Sequence, residues 1–143
     1  MNILLVDDND VDVLLFRRAL RNAGTNTTVV RARDGVEALD ILNGEFPEQE
    51  LQAPYVILLD INMPRMNGHT FLKRLRASDH ISDSRVVVVT TSNNPKDIEL
   101  AYGNFASGYV VKPSSTQEMT KVIKHLHNYW KICEPPLSRS EQL

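Results

Sequence analysis

The stretch Val56-Ile57-Leu58-Leu59-Asp60 places an acidic residue directly behind four apolar ones. An apolar run of this length is too short for an ordinary helix, and it does not alternate with polar residues as a half-exposed strand does. Such a run is typical of a strand in a parallel sheet that is covered on both faces. The pattern therefore predicts a buried strand with Asp60 at its carboxyl end.

Other apolar runs extend this pattern along the chain. Strong runs cover residues 3–6, 86–89 and 109–111, and a weaker, β-branched segment covers residues 27–32. Between the runs, apolar residues recur three and four positions apart, which predicts five amphipathic helices. The alternation predicts an α/β protein of the form (βα)5. Right-handed crossovers then favour a doubly wound, five-stranded parallel sheet with the flavodoxin-like strand order 2-1-3-4-5.

Length and charge are those of one domain without a marked electrostatic signature. The chain has 143 residues, with 16 Lys and Arg against 18 Asp and Glu and a formal net charge of -2. This balance argues against binding to nucleic acid or to an anionic membrane, and no apolar stretch is long enough to predict a membrane span. Cys133 is the only cysteine, so no internal disulfide is expected. We expect a cytoplasmic protein with one domain over residues 1–131 and a C-terminal tail over residues 132–143.

Polar side chains stand at the carboxyl ends of the predicted strands. Asp7 and Asp8 follow strand 1, Asp60 follows strand 3, Thr90 follows the apolar run of strand 4, and Lys112 follows strand 5. Strands 1 and 3 are neighbours in the predicted order, so the three carboxylates would meet at one edge of the sheet. Three close anions repel unless a cation neutralises them, and oxygen ligands suit Mg2+. A carboxylate beside a metal, a lysine and a hydroxyl is equipped for phosphoryl transfer.

Each of these residues has a simpler interpretation when it is taken singly. An aspartate behind a strand is most often a turn former or a helix cap. The whole set is more informative, because its members lie at one end of one sheet and carry complementary charges. Two other functional classes stay open at this point. One is an interaction module that works without phosphorylation, against which the intact set argues. The other is a metal-dependent phosphatase, for which nothing in the sequence marks a separate substrate pocket or a second acid.

The same residues resemble the receiver domains of two-component signalling, most closely in their stand-alone form. The resemblance covers residue 2 to about residue 130. Its matching pieces are Asp7-Asp8, Asp60-Ile61-Asn62-Met63-Pro64 with Gly68, Thr90, and Lys112-Pro113. An ordered set of this kind is far more specific than a lone Asp-Asp or Lys-Pro pair. The resemblance implies a phosphorylation switch and not an enzyme with separate substrates.

The resemblance also implies a role for each matching residue in phosphoryl transfer. Asp60 would attack the phosphohistidine of a sensor histidine kinase and become an aspartyl phosphate, and Lys112 would pair with a phosphoryl oxygen. Asp8 and Asp60 would bind Mg2+ directly and Asp7 largely through water. The backbone carbonyl of Asn62 would complete the protein ligands. The Lys112–Pro113 bond is expected to be a cis peptide, which is otherwise a minority state.

The same resemblance implies a route by which the signal leaves the domain. Thr90 would move its hydroxyl toward the phosphate, and Tyr109 would follow by turning inward. The face formed by helix 4, strand 5 and helix 5 would then change, and we expect it to bind a partner or a second copy of the chain as a homodimer. Tyr102, Phe105 and Trp130 would supply apolar surface there.

One subgroup of these domains is an expected match. The long polar loop before strand 3, the run Thr90-Thr91-Ser92 and the pair Tyr129-Trp130 look like the small regulators that are paired with bacterial phytochromes. A kinase of that type is therefore an expected partner. The aromatic pair has a second interpretation, since it could equally close the hydrophobic core.

Overall fold

The computed structural model describes residues 1–136, in which five strands and five helices alternate. The elements are β1 Asn2–Val6, α1 Asp10–Asn22, β2 Val29–Ala32, α2 Gly35–Leu42, β3 Tyr55–Leu59, α3 Gly68–Arg76, β4 Val86–Thr90, α4 Pro95–Gly103, β5 Gly108–Val111 and α5 Thr116–Ile132. All neighbouring strands pair in parallel, in the order β2-β1-β3-β4-β5. The predicted topology is confirmed.

The edge strand β2 is shorter than its sequence pattern suggests. It pairs with β1 alone, from Val29 opposite Ile3 to Ala32 opposite Val6. The β-branched residues before Val29 extend beyond this pairing, which shows that β propensity alone does not define a strand end. At the other end of the chain, residues 137–143 of the predicted tail lie outside the described residues. The domain boundary at residue 131 stays a prediction.

Two hydrophobic clusters cover the two faces of the sheet, because successive strand residues point to opposite faces. Leu4, Ile57 and Val88 pack against α2, α3 and α4. The alternate positions Leu5 and Leu58 pack against α1 and α5. This two-sided covering explains why the central strands are apolar throughout. Within the described residues, no helix is both long and apolar enough to cross a membrane.

The helices begin just beyond the strands' carboxyl ends, where side-chain caps fix their first turns. In every case a side-chain oxygen accepts a hydrogen bond from a backbone N–H two or three residues ahead. The capping residues are Asn9, Asp34, Asn67, Asn94 and Ser115. These caps hold the first turns of the helices close to the polar edge of the sheet.

Candidate functional site

The sheet's hydrogen bonding continues past its strands and positions the polar residues behind them. The backbone N–H of Asp60 donates to the Val6 carbonyl at 2.9 Å, and that of Lys112 donates to the Thr90 carbonyl at 2.7 Å. These bonds hold the backbone of Asp60 and Lys112 in the sheet and so limit where their side chains can lie. The edge of the sheet therefore presents its functional groups from a rigid base.

Three of the predicted residues form an acidic cluster. Carboxylate oxygens of Asp7, Asp8 and Asp60 lie within 4.8 Å of one another. Asp7 and Asp60 are buried, whereas Asp8 is exposed to solvent. Oxygen donors with one open, solvated side fit a hard divalent cation, which keeps water among its ligands. The donor set thus has the chemistry of a divalent metal site, and Asn62 lies exposed two residues beyond Asp60.

The Lys112 ammonium lies against this cluster and is almost fully buried. Its Nζ donates hydrogen bonds to Oδ2 of Asp7 at 2.8 Å, to Oδ2 of Asp12 at 2.9 Å and to Oδ2 of Asp60 at 3.0 Å. An ammonium has three protons, so all of its donors are used. The structure therefore brings together four of the predicted residues, Asp7, Asp8, Asp60 and Lys112, and adds Asp12 to them.

Asp12 was not predicted as part of the site. Its partner Lys112 lies 100 residues away, and no motif connects the two positions. One signal was present in the sequence, since Asp12 lies in the first turn of a helix that starts immediately behind strand β1. An acidic residue there is also the ordinary choice at a helix N-terminus, so the signal was not specific.

Burial and the neighbouring charges have opposite effects on the pKa values of Asp7 and Lys112. Burial raises the pKa of the Asp7 carboxyl, and hydrogen bonds from Lys112 and from the Asn9 backbone N–H offset only part of the effect. For Lys112, burial favours a lower pKa, but the bonds to Asp7 and Asp12 and the charges of Asp7 and Asp60 raise its pKa overall. Lys112 is therefore a cation at neutral pH, and the carboxylates around it favour a further positive charge.

The predicted hydroxyl belongs to the last residue of β4, Thr90, and is fully buried. Thr90 Oγ1 has no hydrogen-bond partner within residues 1–136. A buried donor without an acceptor costs roughly 1–3 kcal/mol, so such groups are rare in folded proteins. Within residues 1–136 the Thr90 hydroxyl is therefore an unpaired donor that is closed off from solvent, and no hydrogen bond joins it to the acidic cluster.

A hydrogen-bond network next to Thr90 joins β5, α4 and α3. The Tyr109 hydroxyl donates to the Ser92 carbonyl at 2.8 Å, and Ser92 Oγ donates to Asp97 Oδ2 at 2.5 Å. The second oxygen of Asp97 lies 2.9 Å from His69 Nε2. Hydrogen bonds from Ser92 and His69 lower the pKa of Asp97. Of these residues only Tyr109 was predicted from the sequence as part of the switch.

The loop that follows Asp60 is held in place by close packing and by one ion pair. A Cβ atom at Gly68 would lie 2.4 Å from the Asp60 carbonyl oxygen, so only glycine fits there. Arg65 has a φ of +60°, in the left-handed region, and its guanidinium donates to both oxygens of Asp34 at 2.7 and 3.1 Å. Burial favours a higher pKa for Asp34, but the bonds from Arg65 and the Glu37 N–H lower its pKa overall. The loop that follows Asp60 is thereby held against the start of α2 by the ion pair of Arg65 with Asp34.

Two expectations about the C-terminal third of the chain were wrong, although the alternative interpretation of Trp130 as part of the core is confirmed. Trp130 packs into the cluster between the sheet, α1 and α5, seven residues beyond the buried Ile123 and hence on the same helix face. It does not extend the face of Tyr102 and Phe105, which are 49% and 76% exposed. In addition, the cis peptide bond of the described residues is Ala53–Pro54 and not Lys112–Pro113. The trans form is the lower-energy isomer of an X-Pro bond.

Comparisons with known proteins agree with this fold and site. Residues 3–124 match the family described as the response regulator receiver domain. A probable methanogenesis regulatory protein, FilR2 of Methanothrix harundinacea, is 34% identical over 129 residues, which cover 90% of this chain and 82% of that protein.

Solved structures give the same result at the level of the fold. The phosphorylated cyanobacterial phytochrome response regulator RcpA superposes with a TM-score of 0.84 at 31% identity, over 95% of this chain and 98% of that chain. The Mn2+-bound form of the response regulator Rcp1 superposes with a TM-score of 0.82 at 26% identity, over 95% and 99% of the two chains. With a family match across most of its length and an acidic edge of the sheet to carry the chemistry, the chain belongs to the response regulator receiver domains of two-component signalling and works as a phosphorylation-activated switch.

Proposed function

We propose that a sensor histidine kinase transfers a phosphoryl group to Asp60. An Asp60 oxygen attacks the phosphorus of the phosphohistidine, so that an O–P bond forms. The P–N bond breaks, and its electron pair returns to the imidazole nitrogen, which takes up a proton. The observation that carries this proposal is the position of the Asp60 carboxylate, which is bonded to the Lys112 ammonium at 3.0 Å and lies within the acidic cluster.

The proposal includes Mg2+ bound by Asp7, Asp8, Asp60 and the backbone carbonyl of Asn62. Oxygen-only donors, one of them exposed, support this ion, and the Mn2+-bound structure of Rcp1 shows a divalent cation in a similar protein. When bound, Mg2+ neutralises negative charge on the phosphoryl oxygens. Lys112 supplies the second positive charge, since its raised pKa keeps it an ammonium.

Thr90 and Tyr109 form the switch in this proposal. The Thr90 hydroxyl, buried and without a partner in residues 1–136, donates to a phosphoryl oxygen once Asp60 is modified. Its movement vacates space beside β5, and Tyr109 turns inward and leaves the Ser92 carbonyl. The start of α4 is bonded to the same loop through Ser92 and Asp97, so the change reaches the α4 surface.

The surface of α4, β5 and α5 is the proposed output. Tyr102, Phe105 and Val111 are exposed there by 49%, 76% and 46%, and they offer apolar area to a second copy of the chain or to another protein. The similarity to RcpA supports a kinase of the phytochrome type as the phosphodonor. A cytoplasmic location belongs to the same proposal, because phosphohistidine is made from ATP there.

The test is covalent labelling followed by intact mass. The chain is incubated with Mg2+ and a small phosphodonor, and its mass is measured before and after alkali, alongside Asp60→Asn. We expect one alkali-labile phosphoryl group on the wild type and none on the variant, whose near-isosteric change leaves the circular dichroism spectrum intact. Release of phosphate without any adduct would instead indicate a phosphatase. An unmodified chain that still binds its partner would indicate an interaction module.

A further inference from the structure

The three carboxylates bonded to Lys112 differ in their exposure and in their position. The side chains of Asp7 and Asp60 are 4% and 11% exposed and belong to the acidic cluster, whereas Asp12 is 35% exposed and stands outside it, on α1. Water can therefore solvate Asp12 at little cost once its bond to Lys112 is lost. Asp7 would be left buried without its ammonium partner, at a larger cost because water reaches it less easily.

This difference matters because the Lys112 ammonium has no proton to spare. A phosphoryl oxygen on Asp60 needs a hydrogen bond from Lys112, and all three protons already have acceptors. A phosphoryl oxygen can take over the hydrogen bond that Asp60 Oδ2 now accepts, but Asp7 and Asp12 still compete with it for the ammonium. Asp12 is the most exposed of the three, and its negative charge would also lie close to the incoming phosphoryl dianion.

We infer that Asp12 is a positioning residue that holds Lys112 before phosphorylation and then competes with the phosphoryl oxygen for its ammonium. The inference rests on the proposed function, in which Asp60 is the acceptor. No proton leaves Lys112 in the exchange, because one hydrogen-bond acceptor replaces another. Asp12 thus opposes phosphorylation, and its removal strengthens the binding of a phosphoryl group.

Asp10 provides a matched control for this role. It lies in the same first turn of α1 and carries the same charge. Its ion pairs, however, go to Arg31 at 2.9 Å and to Arg33 at 3.8 Å. A general effect of an acidic residue at a helix N-terminus is shared by both aspartates, whereas the bond to Lys112 belongs to Asp12.

The experiment measures two affinities on the full chain. Trifluoroberyllate serves as the phosphoryl mimic at saturating Mg2+, and Mg2+ alone is titrated separately, both by amide chemical shifts. The chains are the wild type, Asp12→Asn, Asp12→Ala, Asp10→Asn and Asp60→Asn. We expect both Asp12 variants to bind trifluoroberyllate about tenfold more tightly, the effect of removing one partly exposed charge a few ångströms away. Asp10→Asn should bind it like the wild type.

The Mg2+ titration separates positioning from a general change in the fold. A variant that only disturbs the fold of the site should bind both trifluoroberyllate and Mg2+ more weakly. Loss of a competitor should instead strengthen the binding of trifluoroberyllate and leave the affinity for Mg2+ unchanged or lower. Equal or weaker binding of trifluoroberyllate by both Asp12 variants would overturn the inference while leaving the proposed function in place. If Asp60→Asn binds the mimic as the wild type does, the proposed function fails and this inference falls with it.

Discussion

The acidic cluster around Lys112 and the region around Thr90 lie at the same edge of the sheet, but they differ in how their hydrogen bonds are satisfied. On the side of β1 and β3, Lys112 has an acceptor for every proton and the surrounding carboxylates share its charge. On the side of β5 and α4, Thr90 has a buried hydroxyl without a partner in residues 1–136, beside the network of Tyr109 and Ser92. The first region is complete in its hydrogen bonds, and the second lacks an acceptor.

The difference shows where each region can respond to a ligand. A buried cluster of carboxylates loses stability when its one ammonium partner is removed, because the remaining negative charges are left without compensation. A buried hydroxyl without an acceptor gains stability when an acceptor arrives or when the hydroxyl itself is removed. Substitutions of the metal ligands should therefore weaken cation binding, whereas loss of the Thr90 hydroxyl should raise the stability of the fold and abolish its coupling to Tyr109.

The largest expected effect concerns the metal. Asp8→Ala should weaken Mg2+ binding by about 100-fold or more, because loss of an outer-shell group already costs roughly 10–100-fold and Asp8 is a proposed direct ligand. Asp7→Ala should weaken it less, because Asp7 is already engaged by Lys112 and by the Asn9 N–H. Amide-shift titration with Mg2+ measures both. Equal affinities in wild type and Asp8→Ala would show that Asp8 is not a ligand.

A pair of glycine substitutions compares the close packing beside Asp60, at Gly68, with the open space at the end of α4, at Gly103. Gly68→Ala should lower the free energy of unfolding by about 1–3 kcal/mol, because its Cβ would collide with the backbone of Asp60 and Ile61. Gly103→Ala, at the end of α4 with open space around it, should change stability by less than about 1 kcal/mol. Urea unfolding gives both values. Similar losses in the two variants would mean that the close approach at Gly68 does not constrain the loop.

Thr90→Val tests the region that lacks an acceptor. Replacing the unpaired hydroxyl by a methyl group should raise the free energy of unfolding by about 1 kcal/mol. The variant should also fail to move Tyr109 when trifluoroberyllate binds, which the tyrosine ring resonances report. Thr90→Ser, which keeps the hydroxyl, is the control for coupling. A Thr90→Val variant that is less stable than the wild type would show that the hydroxyl has a partner in solution.

The smallest expected effect is a dependence on pH in the α4 network. Hydrogen bonds from Ser92 and His69 lower the pKa of Asp97 below its value of 3.8 in the unfolded chain. Ionised Asp97 therefore stabilises the fold fully at pH values above 3.8. This contribution is lost as the pH falls through the lowered pKa. Relative to Asp97→Asn, the wild type should be more stable at pH 6, and its advantage should shrink below pH 3.8. Urea unfolding across pH, with the exposed Glu99→Gln as control, measures this difference.

Local patterns predicted most of the fold and the residues at its polar edge. Each central strand is an uninterrupted apolar run, and the residues behind these runs, Asp7, Asp60 and Lys112, are polar. Their convergence follows from topology, because the carboxyl ends of parallel strands all lie at one edge. For Trp130 the sequence left both the output face and the core open, since a helix of mixed polarity does not define the direction of each face until its neighbours are known.

The sequence by itself determined the alternation of strands and helices, the polar residues at the strand ends and the family of the chain, because periodicity and the order of motifs can be read along the chain without knowing which elements touch. Only the tertiary structure decided that Asp12 shares Lys112, that Thr90 has no acceptor among residues 1–136, and that Asp97 joins α4 to α3. These contacts join residues 100 and 28 positions apart, or depend on the absence of a neighbour. Such facts arise from how whole elements pack, which no local pattern records.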